Sequence, residues 1–255
     1  MNRHLLNMAN AVRSAVSAVP RDEWGREVGT GASGSATSLI DRAAEDAIVR
    51  YLDENHVGLS LLSEEVGFVD RGFPDILVAD PLDGTHNACA GIPYYSVSLA
   101  AGRGSLSGMA EGLVMNLVTG DVFRASRGRG ATLNGEPIHA AKPGRDRLLI
   151  AYTGAAAVPR TYDILPRFRR TRCLGSTALE LCAVACGQAD AFFVNYSDLR
   201  KSPRIVDIAA GVLILREAGG EAYDENDEIL DMPLSLDERR NMCAVGSEEA
   251  RVMLR

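Results

Sequence analysis

The sequence predicts a mixed α/β protein of the α+β kind, and three observations carry that expectation. Residues 3–18 and 37–55 repeat apolar side chains with a helical period, as at Leu5, Met8, Ala9, Val12 and Val16. Residues 94–126 read as strands instead, YYSVSLAAG, SGMAEGLVMN and GDVFRAS, separated by glycine turns. Beyond Pro143–Asp146 shorter strands alternate with helices.

Between the two opening helices, residues 21–37 are polar and Gly-rich and are expected to form a loop. Strands are expected at 59–63 and 76–80, each apolar and each ending in acidic residues. Asn134–Gly135 signals a tight hairpin within RGATLNGEPI. Next come a strand in RLLIAYTG, a helix in STALELCAVACGQ and a strand in DAFFVN. IVDIAAGVLILREAGG is a helix closed by Gly219–Gly220. EAYD and NMCAVG are short strands, and SEEARVMLR is a final helix opened by Ser247. With 255 residues, no repeat and no Pro- or Ser-rich linker, the chain reads as one unit in two packed halves, 1–142 and 143–255.

Composition narrows the function. Hydrophobic residues make up 46% and charged residues 24%, the balance of an ordinary globular protein rather than a disordered chain. The 27 Lys and Arg against 34 Asp and Glu give a net charge of −7, so a global grip on nucleic acid or anionic lipid is disfavoured. No apolar run reaches the 18 or more residues of a membrane span, and the N-terminus lacks the apolar core of a secretory signal. The odd count of five cysteines, with no CxxC pair, fits a reducing, cytoplasmic setting. His4, His56, His86 and His139 have no zinc-like spacing. Gly29–Gly34 spells GxGxxG, but the charged stretch before it is unsuited to the central parallel strand that a dinucleotide site requires.

One segment stands apart: Leu77-Val-Ala-Asp80-Pro81-Leu82-Asp83-Gly84-Thr85-His86-Asn87. An apolar strand runs into two carboxylates three residues apart, and Gly84 then permits a turn whose N–H groups form an anion site. The bland alternative is an Asx-type turn with Asp83 as a helix cap. Two more carboxylates join the pattern. Glu64 ends the preceding apolar strand and would sit beside Asp80 if the strands are neighbours, and Asp207 interrupts the apolar run Ile205–Gly211. Glu64, Asp80, Asp83 and Asp207 together concentrate negative charge that no phosphate dianion would approach unaided. Such a cluster calls for a hard cation, and all-oxygen ligands select Mg²⁺.

These residues resemble the inositol monophosphatase superfamily of Mg²⁺-dependent, lithium-sensitive phosphatases. The resemblance rests on SEE at 63–65, DPLDGTHN at 80–87, NGEPI at 134–138, LGSTALELCAVACGQADAFF at 174–193, VDIAAG at 206–211 and EAGGEAYD at 217–224. GIPYYSVSLA and the short LGSTALELC are similar to the archaeal-type members, which hydrolyse fructose 1,6-bisphosphate as well as inositol phosphates. The resemblance implies a layered α/β/α/β/α sugar-phosphatase fold, a homodimer, a small phosphate-ester substrate and two or three Mg²⁺ ions per site. It implies that Glu64, Asp80 and the Leu82 carbonyl hold the metal that activates the attacking water. Asp80, Asp83 and Asp207 would hold a second, and Asp41 would pair with the Thr85 hydroxyl to orient that water. Gly84 and Thr85, with Asp83 beside them, would meet the phosphate, and Gly175, Ser176 and Thr177 the sugar or inositol. Two positions depart from the family pattern: Val206 stands where a Trp is usual, and Ala88 where an aromatic is.

The haloacid-dehalogenase type requires DxDGT, and the DxxDGT spacing here decides against it. A 3′-phosphoadenosine 5′-phosphate phosphatase is the alternative enzyme, although those relatives carry a longer substrate region than 172–204. A non-catalytic phosphosugar-binding protein would have no need of the water-activating pair. The resemblance also implies that the position seven before Asp207, where inositol-specific members carry an acid that meets the substrate hydroxyls, is Arg200, in the cationic stretch Arg200-Lys201-Ser-Pro-Arg204. A cation there suits a second phosphate and favours fructose 1,6-bisphosphate, the alternative being solvated surface charge.

Overall fold

Five layers stack because two sheets carry apolar side chains on both faces, so each sheet must be covered twice. The computed structural model describes residues 1–32, 34–140 and 147–255; the boundary expected near 143 lies outside them. The first half contains α1 (Asn2–Ala18), β1 (Glu27–Thr30), β2 (Ala36–Ser38), α2 (Leu39–Glu54), β3 (Ser60–Ser63) and β4 (Gly67–Val69). It continues with β5 (Ile76–Asp83), α3 (Thr85–Cys89), β6 (Ser96–Gly102), β7 (Met109–Asn116), β8 (Val122–Ser126), β9 (Ala131–Leu133) and β10 (Glu136–Ile138). The second half contains β11 (Leu148–Ala151), α4 (Pro159–Ile164), β12 (Arg170–Arg172), α5 (Thr177–Ala185) and β13 (Ala191–Val194). It ends with α6 (Ile205–Glu217), β14 (Glu221–Asp224), β15 (Met242–Val245) and α7 (Glu248–Leu254).

An eight-stranded sheet runs β10-β9-β8-β7-β6-β5-β3-β4, and a five-stranded sheet runs β12-β11-β13-β15-β14. Strand alternation assigns the faces. Leu61, Leu77, Ala79, Leu99 and Leu113 pack on the amphipathic pair α1 and α2, whereas Leu62, Val78, Ala100 and Val114 pack on α5 and α6. In the second sheet Ile150, Phe192 and Val194 meet the other side of α5 and α6, and Leu149, Ala151 and Phe193 meet α4 and α7. The middle helices are therefore apolar on every side, which is what STALELCAVAC and IVDIAAGVLIL spell. Gly211 lets them approach: a β-carbon there would lie 2.7 Å from the Leu181 side chain.

The structure differs from the sequence expectation at several short pieces. Residues 21–37 are not a plain loop: β1 and β2 pair there as an antiparallel hairpin, which also rules out a strand-to-helix dinucleotide turn. The strands β4 and β12 and the helix α4 are additions to the expected elements; β4 and β12 are edge strands that are largely exposed. Strand β5 runs three residues further than its apolar stretch, through Asp83.

Candidate active site

The extension of β5 sets the geometry. Asp80 lies opposite Ser98 of β6 and Asp83 opposite Ser96, so three steps along one strand match two along the other. That bulge, at a proline with no N–H to donate, turns two carboxylates that would face opposite ways onto the same side. Strand β3 runs parallel beside β5 with Ser63 opposite Ala79, so Glu64 emerges next to Asp80. Helix α6 crosses the same sheet and brings Asp207 from its first turn. Glu64, Asp80 and Asp207 each offer a carboxylate oxygen, all within 4.8 Å of one another.

Three like charges that close repel by about 3–4 kcal/mol per pair at an effective dielectric near 20. Burial, reinforced by Glu64, Asp83 and Asp207, holds Asp80 well above the usual carboxylate range. Burial pushes Asp207 up to about 6, with Arg204 opposing the rise. An all-carboxylate donor set under this strain fits a hard divalent cation, since a cation would relieve the repulsion and oxygen is the ligand it prefers.

Asp83 lies outside that triad and is engaged elsewhere. Its oxygens accept from the Ser176 hydroxyl at 2.6 Å, Ala178 N at 2.8 Å and Thr177 N at 3.2 Å. It therefore caps α5, more than 90 residues away, rather than its own turn. Burial raises it to about 7, with the Ser176 bond opposing. Ser176 and Thr177 are thus tied to Asp83, Gly175 is held by Glu180 instead, and Ser176 also lies 3.1 Å from Ser96.

Asp41 sits at the third position of α2, in a capping box with Ser38. Its second oxygen accepts from Thr85 Oγ1 at 2.8 Å, and that hydroxyl is also 3.0 Å from the Leu82 carbonyl. Burial raises the Asp41 carboxyl despite these bonds. Gly84 adopts φ +94°, and a β-carbon there would come within 3.1 Å of Tyr94 O and 3.2 Å of Gly175 O. Only glycine fits both the turn and the space.

Arg200 is placed on the surface: its side chain is 88% exposed and both prongs of its guanidinium bind Asp198. Among the described residues, the cations beside the carboxylates are Arg204, ion-paired to Glu64, and Arg239, half-buried near Arg204, Asp207 and Glu64. His86 is exposed.

Sequence reasoning missed the residues that brace the site. Asn87 donates to both Leu174 O at 2.7 Å and Tyr94 O at 2.8 Å, stapling the DGTHN turn to the LGS turn. Glu180, fully buried and raised to about 7 by burial, accepts from Leu174 N and Gly175 N. Glu45, also raised to about 7 by burial, accepts from Ser63 Oγ beneath the Glu64 turn. Glu180 carries a readable signal: like Asp207, it is a carboxylate inside an apolar helical run.

Comparison with known proteins decides the relationship. The inositol monophosphatase family model matches residues 1–253. The chain belongs to that family. It is 38% identical over 226 residues to the fructose-1,6-bisphosphatase/inositol-1-monophosphatase of Thermococcus kodakarensis, covering 88% of this chain and 83% of that one. It is 33% identical to the bifunctional NADP phosphatase/NAD kinase of Methanococcus maripaludis, covering 92% of this chain but 45% of the larger protein. A crystal structure of an inositol monophosphatase–fructose 1,6-bisphosphatase superposes with a TM-score of 0.86 at 28% identity, covering 99% of this chain and 97% of the other. The five-layer architecture is that of the family, and the protein is a metal-dependent phosphatase.

Proposed function

We propose that the chain hydrolyses sugar and inositol phosphates, fructose 1,6-bisphosphate and inositol 1-phosphate foremost, with Mg²⁺ held by Glu64, Asp80 and Asp207. The observation that carries the reading is the carboxylate triad lying against the Asp83–Thr85 turn, itself tied to Asp41. Substrate class is supported by the archaeal relative at 38% identity over most of both chains. Asp83 and the Leu82 carbonyl complete the ligand set for two or three cations. Divalent cations there supply Lewis acidity toward the phosphate oxygens and toward water.

The chain's own groups do the rest. The backbone N–H groups of Gly84 and Thr85 receive phosphate oxygens where the chain turns into α3. Thr85 Oγ1 donates to Asp41, so its lone pair accepts one proton of the attacking water and fixes the direction of attack. Asp41, its carboxyl raised by burial and braced by Ser38, is the acceptor toward which that hydroxyl passes the proton. Gly175, Ser176 and Thr177 present the sugar or inositol face, the first held by Glu180 and the other two by Asp83. A homodimer in the cytoplasm goes with this reading.

A nucleotide 2′- or 3′-phosphate is the second reading, favoured by the NADP phosphatase relative. The test is phosphate release in Mg²⁺ from fructose 1,6-bisphosphate, inositol 1-phosphate, NADP and 3′-phosphoadenosine 5′-phosphate. Turnover led by the first two supports the proposal. Turnover of the nucleotides with neither of the first two would replace it.

A further inference from the structure

We propose that Arg204 is a built-in counter-cation of the carboxylate triad, competing with the divalent cation for Glu64 and Asp207 and displaced when it binds. The inference rests on the divalent-cation reading of the triad and adds to it a residue of this chain that sets the affinity.

Arg204 precedes α6, and its side chain is only 8% exposed. Both of its ionic partners are triad members: Nη2 pairs with Glu64 Oε1, and Nε stands 3.8 Å from Asp207 Oδ2. A guanidinium has five N–H donors and no way to lose its charge, so once buried it needs most of them bonded. Here Nε and Nη1 are both buried with no hydrogen-bond partner among the described residues.

Arg216, further along α6, shows what a settled structural arginine looks like in the same fold. Its Nε binds Glu221 at 2.6 Å and its Nη2 binds the Leu230 carbonyl at 2.7 Å. Arg204 matches the triad in charge but fits it poorly in shape. A planar fork satisfies one carboxylate closely, whereas a small cation is suited to several oxygens at once. A poorly satisfied ion pair at the ligands themselves is one that a better-fitting cation can displace.

Charge points the same way. Glu64, Asp80, Asp83 and Asp207 bring four carboxylates, and Arg204 and Arg239 bring two adjacent positive groups. A divalent cation entering beside Arg204 meets like charge, so the arginine lowers the affinity both by repulsion and by holding two of the ligands.

The experiment is calorimetric titration of Mg²⁺ into chelator-stripped wild type, Arg204→Met, Arg204→Lys and Arg216→Met, with thermal unfolding of each with and without Mg²⁺. Arg204→Met is expected to bind Mg²⁺ at least tenfold more tightly. It should melt lower than wild type without metal and gain more from saturating Mg²⁺. Arg204→Lys, keeping the charge without the fork, should fall between them and carries the comparison if the methionine variant does not fold. Arg216→Met should lose stability with its Mg²⁺ affinity unchanged. Equal or weaker Mg²⁺ binding by both Arg204 variants overturns the proposal, because the arginine would then be supporting the ligands rather than competing for them. Wild type that binds no Mg²⁺ overturns the cation reading itself, and this inference with it.

Discussion

Replacing Asn87 with alanine tests whether the two loops of the site are held as a unit. Asn87 is 7% exposed and its side-chain amide spans Leu174 O and Tyr94 O, so truncation leaves two carbonyls without their donor. A hydrogen bond contributes about 0.5–1.5 kcal/mol net, and a stranded buried acceptor costs about 1–3 kcal/mol. Partial hydration of one carbonyl brings the expected loss to about 2–3 kcal/mol. In a chain of this size that corresponds to a fall of roughly 5–10 °C in Tm. The loop released is the one whose Ser176, Thr177 and Ala178 hold Asp83, so kcat should fall about tenfold to a hundredfold through misplacement at the phosphate. Asn87 has no hydrogen bond to Glu64, Asp80 or Asp207, so a cation held by those three should keep its affinity within about twofold, whereas a second cation that Asp83 also ligates should bind more weakly. Thermal unfolding, steady-state kinetics and Mg²⁺ titration of Asn87→Ala read all three. A Tm and kcat equal to wild type would refute the reasoning, and loss of every Mg²⁺ site, rather than of one, would show that the staple serves the triad instead.

Thr85→Val keeps the shape of the side chain and removes the hydroxyl that links Asp41 to the turn. It should fold, bind Mg²⁺ normally and lose about 10²–10⁴ in kcat; a loss confined to KM would remove Thr85 from the proton path. The pH dependence has a definite sign. Asp83 at about 7 and Asp207 at about 6 stay protonated in the metal-free fold at pH values where the unfolded chain has lost those protons. Their contribution to metal-free stability is full below the unfolded carboxylate pKa and is lost as pH rises through about 6 to 7. Mg²⁺ prefers the ionised carboxylates, so the Tm gain from Mg²⁺ should widen as pH rises from 5 through about 7, and Asp80, held well above the usual range, adds to the rise. Melting curves with and without Mg²⁺ across pH 5–8 check this, and a gain that shrinks as pH rises toward 7 would contradict it.

The elements that bury a patterned face are legible in the residues themselves. α1 and α2 show a helical stripe because one side faces the sheet, and α5 and α6 are apolar throughout because they lie between two sheets. The β1–β2 hairpin and the β12 edge strand leave no such mark. Every residue of Glu27–Thr30 and of Arg170–Arg172 is exposed, so no buried face imposes an alternation on the sequence. At the site, Asp80, Asp83 and Asp207 stand out as charges in apolar surroundings, a costly combination that usually has a reason. Which of them share a cluster does not show in the sequence, because that depends on a bulge between Asp80 and Asp83. The capping of α5 by Asp83 and the stapling by Asn87 join residues some 90 apart, which local pattern does not encode. The cationic stretch 200–204 reads as a unit, and only the fold separates Arg200, spent on Asp198, from Arg204, drawn into the triad.

The central claim is that Glu64, Asp80 and Asp207 hold the cation that makes this chain a phosphatase. The most direct measurement is inorganic phosphate release from fructose 1,6-bisphosphate and inositol 1-phosphate, in Mg²⁺ and in excess chelator, by wild type and by Asp80→Asn. Turnover that requires Mg²⁺, returns when Mg²⁺ is restored, and is lost in a folded Asp80→Asn is the result expected. Turnover that persists in chelator, or survives in Asp80→Asn, would contradict it.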